Sequence, residues 1–244
     1  MRSAGADAPV LIALHGRGEA GRGLAAGARG WRDDYDVDRV EARLRSGTID
    51  AADVGGFATE ARIAALRASL ASAPWRGLTL VTPYTPNLRD RGPEGAEAFT
   101  RFLDEQLIPR AAAAAGRSLD GLACGIDGVS MGGRLALWAA VLRPARFASV
   151  GALQPAISVE EADAIAARLA EARARSPFAL RLVSSDEDPF LHAVRALADR
   201  LAARSVPTTL IVTPGPHDYA WNRGPGSAEL LLHHERVLRG LPPP

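Results

Sequence analysis

The sequence predicts an α/β fold, a mainly parallel sheet of about six strands flanked by helices. Three observations predict it. Short apolar runs of strand length alternate with longer Ala/Leu/Arg segments of helical period, the pattern of a parallel sheet covered by helices. No internal repeat or linker divides the 244 residues, and 47% of them are apolar, enough for one sizeable core. The clusters of glycine and polar residues that carry chemistry fall just after the strand-like runs, at what would be the carboxyl edge of such a sheet.

Taken in order, the strand candidates are Val10–Leu14, Leu78–Thr82, Leu122–Val129, Ser149–Leu153, Ala179–Ser184 and Thr208–Thr213. The helix candidates between and after them are Glu60–Ala73, Glu94–Ala115, Gly132–Leu142, Glu160–Arg175, Pro189–Arg204 and Ser227–Leu238. The Pro-rich tail Pro242–Pro244 reads as a frayed terminus. One segment breaks the alternation. Residues 18–58 are long, Gly-rich and charged, with Trp31, Tyr35 and the acidic Asp33, Asp34, Asp36 and Asp38 embedded, so they read as a functional loop or a loosely ordered insertion. The expected organisation is a single domain over residues 1–244.

Lys plus Arg number 29 against 28 for Asp plus Glu, so no field of one sign draws the chain to nucleic acid or an anionic membrane. The arginines are scattered over helix-like stretches and read as solvated faces. The single cysteine, Cys124, excludes an internal disulfide and lies in an apolar run that reads as core. Met1–Ala8 has no long apolar stretch, and Val10–Leu14 is too short for a signal peptide or a membrane span. A cytoplasmic protein acting on a small-molecule substrate is expected.

Ile126-Asp127-Gly128-Val129-Ser130-Met131-Gly132-Gly133 joins a predicted strand to a predicted helix, the context in which G-x-S-x-G marks a nucleophile elbow. A serine there sits on a sharp, strained turn, and a side chain at either flanking position would strike neighbouring backbone. The turn exposes the hydroxyl and aims the first N–H groups of the helix at the same point, so Met131 N–H is an expected oxyanion donor. The plainer role for Ser130 is a helix N-cap.

Its partners follow in the order serine, acid, histidine, each just after a predicted strand. Ser185-Asp186-Glu187-Asp188-Pro189-Phe190 offers three carboxylates; Asp188 is the expected acid and Asp186 the alternative, while a helix-cap role would also suit Asp188. Pro214-Gly215-Pro216-His217-Asp218-Tyr219 presents His217 as the base. An imidazole suits the task because it titrates near pH 6.5 when unperturbed, and so both takes and returns a proton. His192, His233 and His234 lie in predicted helices and read as surface or packing residues, without the converging ligands of a metal site. Neither a metal nor an organic cofactor is implied.

The first strand runs into Leu14-His15-Gly16-Arg17-Gly18-Glu19. Such a His-Gly-rich turn supplies the second oxyanion donor from backbone, with Gly16 and Gly18 allowing the substrate close approach. Arg17 N–H is the expected donor, Gly18 the second, and His15 a support for the loop.

With these residues the chain resembles the α/β-hydrolase superfamily, in particular its esterase, phospholipase/carboxylesterase and predicted-peptidase branches. The likeness rests on His15–Glu19, Gly128–Gly133, Asp188-Pro189-Phe190 and Gly215–Tyr219. It implies a Ser130–Asp188–His217 triad with Arg17 and Met131 as oxyanion donors. Compared with larger members, the first two strands are expected to be missing, and Ser185 stands where many relatives have glycine.

The expected function is cleavage of a carboxylic ester through an acyl-enzyme on Ser130. The same triad also serves a thioesterase, peptidase or acyltransferase, and a fold retained only for binding is the reading from another class.

Overall fold

Six parallel strands form one sheet in the computed structural model, which describes residue 5 and residues 7–119, 122 and 124–244. The reading of Met1–Ala8 as leader-free falls mostly outside these residues. In chain order the elements begin with β1 (Val10–Leu14), α1 (Arg17–Ala20), α2 (Leu24–Gly27), α3 (Gly30–Asp33), α4 (Val37–Ser46) and α5 (Glu60–Ser72). Then come β2 (Thr79–Val81), α6 (Pro93–Phe102), α7 (Ile108–Ala114), β3 (Cys124–Gly128) and α8 (Met131–Leu142). The chain closes with β4 (Phe147–Leu153), α9 (Val159–Arg175), β5 (Ala179–Ser185), α10 (Leu191–Ala203), β6 (Thr208–Thr213), α11 (Tyr219–Trp221) and α12 (Ser227–Leu238). Among the described residues no strand precedes β1.

The strands lie in the order β2-β1-β3-β4-β5-β6. The chain therefore steps from β1 to one side, then crosses back to place β3 on the other. The loops leaving the carboxyl ends of β1 and β3 diverge there, which opens a crevice at the point where strand order reverses. His15–Glu19 and Ser130 belong to those two loops.

Side chains along a strand point alternately to the two faces. On β1, Val10, Ile12 and Leu14 join a core with Phe99, Leu103, Leu135 and Ile165, while Leu11 and Ala13 join a second core with Trp31, Leu44, Ile63 and Leu231. Helices α6 to α10 thus cover one face, and α4, α5 and α12 the other.

Boundaries depart from the sequence reading where tertiary partners intervene. β4 starts at Phe147 because Phe147 pairs with Cys124 of β3; residue 123, within the predicted strand, lies outside the described set. The predicted helix Glu94–Ala115 is continuous but widens into a π-turn at Leu103–Leu107. Pro109 lies two residues past its end, and its missing N–H and bulky ring make a tight α-turn there costly. Residues 18–58 contain α2, α3 and α4, with Trp31 and Tyr35 buried on the second core rather than free in a loop.

The reading of arginines as solvated faces fails at Arg134, Arg181 and Arg236, all buried. Arg181 lies beneath the sheet between Asp127 (3.3 Å) and Glu229 (3.0 Å), and Glu229 also takes Arg62 at 2.6 Å. His234 Nε2 meets Asp127 Oδ2 at 3.0 Å, so this histidine belongs to the packed interior, as does His233; His192 is exposed on α10. Cys124 is buried, and burial pushes its thiol up to about 12. Among the described residues no helix is long and apolar enough to cross a membrane.

Candidate active site

Ser130 joins β3 to α8 with φ +56° and ψ −114°, a strained backbone for a residue with a side chain. Two glycines make that turn possible. A Cβ on Gly128 would lie 2.5 Å from the carbonyl carbon of Gly132, and one on Gly132 would overlap the carbonyl oxygen of Leu14. Ser130 N donates to Leu153 O at 2.8 Å and Ser130 O accepts from Ala156 N at 3.0 Å, so β4 and the segment after it brace the turn. Its side chain makes no N-cap hydrogen bond.

Asp188 and His217 are brought together from the loops after β5 and β6: His217 Nδ1 and Asp188 Oδ1 are 2.9 Å apart. The Asp188 carboxylate also accepts from Phe190 N at 3.0 Å and from the Ser184 hydroxyl, and its side chain is fully buried. Asp186 is exposed and accepts from Gly215 N at 2.9 Å, which shapes the histidine loop without touching the imidazole. Phe190 packs edge-on against the His217 ring. Ser130 and His217 border one cleft together with Gly16, Arg17, Gly18, Glu19 and Tyr219. No direct hydrogen bond joins the serine to the imidazole, a separation common in ligand-free sites, which tighten on substrate.

Arg17 opens α1 and Met131 opens α8, so their N–H groups are among those a helix cannot satisfy internally. Gly18 is exposed at the cleft, whereas Gly16 N donates to Tyr35 Oη at 3.1 Å and shapes the loop instead of facing the cleft as a free donor. His15 is buried as a support: Thr85 N donates to its Nε2 at 2.8 Å, and Nδ1 lies 2.8 Å from Gly16 O. Those bonds suit the neutral ring protonated at Nδ1, and burial lowers its pKa.

Several residues at the site carry roles the sequence reading did not assign. Glu19 is buried and accepts from Tyr35 Oη at 2.5 Å and from Tyr219 Oη at 2.7 Å. The hydrogen bond to Glu19 pushes the Tyr219 phenol up to about 12, while burial raises that of Tyr35, so both stay protonated donors at neutral pH. Gln154, buried just past β4 with φ +43°, donates through Nε2 to Ser185 Oγ (2.6 Å) and Pro216 O (3.0 Å). Ser185, the departure noted in the sequence, thereby helps hold the histidine loop. A polar residue ending an apolar run at the carboxyl edge was the available signal for Gln154. Asp218 caps α11 through Trp221 N at 3.0 Å. Asn87, Leu88 and Arg91, not foreseen, wall the space beside Ser130 and Ala156.

Comparison with known proteins agrees with this architecture. The family model described as "Putative esterase" matches residues 83–224, over half of the chain and inclusive of Ser130, Asp188 and His217. No curated protein matches the sequence. Among solved structures, a ferulic acid esterase superposes with TM-score 0.64 at 18% identity, over 95% of this chain and 85% of that one. S-formylglutathione hydrolase of Staphylococcus aureus gives 0.58 at 15% identity, over 91% and 83%. The enterobactin esterase of Shigella flexneri gives 0.51 at 16% identity, over 92% of this chain and 53% of that one. At such identities these structures share the α/β-hydrolase fold, and the family match goes further: the chain belongs to the esterase family, hydrolases that cleave carboxylic esters.

Proposed function

We propose that the chain hydrolyses small carboxylic esters through an acyl-enzyme on Ser130. Ser130 Oγ attacks the carbonyl carbon while His217 Nε2 takes its proton, and the N–H groups of Arg17 and Met131 receive the oxyanion. As the tetrahedral intermediate collapses, His217 returns the proton to the departing alcohol. Water then repeats the sequence on the acyl-enzyme, releasing the acid and restoring the serine. Asp188 holds the imidazole with Nδ1 engaged, which leaves Nε2 for proton transfer.

The observation that carries this reading is the contact between His217 Nδ1 and Asp188 Oδ1 at 2.9 Å, in the cleft where Ser130 sits at φ +56°. Labelling with a fluorophosphonate tests it: label on the native chain should vanish in Ser130→Ala and fall sharply in His217→Ala. A folded native chain that takes up no label and hydrolyses no ester refutes the reading.

A further inference from the structure

The cleft running from Ser130 along α8 is lined with positive charge. Arg134 lies one helical turn beyond Ser130, and only 7% of its side chain is exposed. Nε donates to Ala156 O at 2.6 Å and Nη2 to Glu161 Oε2 at 2.8 Å. Nη1 is equally buried and has no partner. A guanidinium N–H left this way is costly, and a charge-assisted hydrogen bond from Nη1 to a carboxylate oxygen would satisfy it.

The space beside it, about 170 Å³, is walled by Leu88, Leu135 and Phe190 and reaches Ser130. Arg17 and Arg91 border the same space, and no acidic side chain among the described residues lines it. Burial lowers the Arg134 pKa, Glu161 opposes that, and the positive charge of Arg91 adds to the lowering. Three cations thus share a small, partly apolar cleft, and the one carboxylate beside them, Glu161, pairs with Arg134.

We infer that this esterase selects esters bearing a second, ionised acid group, received by Arg134 Nη1 and Arg91 while the ester carbonyl rests on Ser130. The inference builds on the serine-hydrolase reading above. The leucine and phenylalanine walls take the short spacer between the two groups, and the arginines reject neutral tails by leaving their own charge unsatisfied.

The test compares kcat/KM of the whole chain for charged and neutral partners of equal length. In the acyl arm, monoethyl succinate is set against ethyl butyrate and monoethyl glutarate against ethyl pentanoate, with ethanol release followed. In the alcohol arm, 4-acetoxyphenylacetate is set against 4-ethylphenyl acetate, with acetate release followed. A ratio of about tenfold or more in one arm is expected, weakening with salt, and the arm that shows it tells which side of the ester carries the acid. The ratio should collapse toward one in Arg134→Gln and fall at least threefold in Arg91→Gln, whose exposed site leaves folding intact. Ser130-dependent turnover with a ratio at or below one in both arms, or a ratio unmoved by Arg91→Gln, overturns the inference and leaves the esterase mechanism standing. Absence of Ser130-dependent turnover of any ester overturns both.

Discussion

Tyr219 Oη donates to Glu19 Oε1 at 2.7 Å, joining the loop after β6 to the loop after β1 across 200 residues of sequence. One loop carries His217 and the other the backbone N–H of Arg17, so in the proposed mechanism their spacing sets how base and oxyanion donor meet on one substrate. Tyr219→Phe should lower kcat about tenfold with a smaller change in KM, because misplacing reacting groups by under an ångström costs rate. Glu19→Gln should cost more, since Tyr35 and Tyr219 then share a weaker, neutral acceptor in a buried site. Steady-state kinetics on one neutral ester checks both; native turnover in either variant would sever the link.

Asp188 and Asp186 make opposite predictions. Asp188→Asn keeps the shape but favours the wrong imidazole tautomer, and kcat should fall about 10³- to 10⁴-fold. Asp186→Asn touches only the turn at Gly215 and should stay within about threefold of native, the range of an exposed polar change. Equal losses in the two variants would contradict the geometry.

Gly132 has no room for a side chain, because its Cβ would enter the carbonyl oxygens of Leu14 and His15. Gly132→Ala should lower unfolding stability by about 3 kcal/mol or more, at the high end for overpacking because backbone rather than side chain must yield. A urea melt reads this directly. Gly47→Ala is a useful contrast: its φ of +74° is strained for alanine, yet nothing lies near the added methyl, so a loss of about 1 kcal/mol is expected.

Burial lowers the pKa of His15, His233 and His234 in the folded chain. The unfolded chain therefore binds more protons than the folded one from about pH 6.5 down to those lowered values. Stability is complete above that window and falls as the pH drops through it. Each histidine contributes at most about 1.4 kcal/mol per pH unit. Urea midpoints at pH 7.5 and 5.5 should show the loss, and His233→Leu should flatten the slope, since His233 Nε2 has no hydrogen-bond partner to lose. A stability independent of pH between those points would show that these rings titrate as in the unfolded chain.

Local physics explains what the sequence by itself determined. The six strands, the long helices and the elbow at Ser130 were legible because each depends on neighbours in the chain: apolar runs, helical period, and glycines at the two positions where a turn admits no Cβ. β1 and β6 match their predicted limits, and α12 does too. Ser130, Asp188 and His217 could be proposed as a triad from the sequence because this fold places its loops just past strand ends, a position readable in one dimension. What only the tertiary structure decided involves groups far apart in sequence. Strand order put the loops of β1 and β3 on either side of a crevice, and the approach of His217 separated Asp188 from Asp186. The same folding carried Tyr35 and Tyr219 onto Glu19, and sank Arg134 beside Ser130 and Arg181 between two carboxylates. Arginine reads as solvent-facing by composition; only three-dimensional closure supplies the partners that make its burial tolerable, or leave one N–H waiting for an anion.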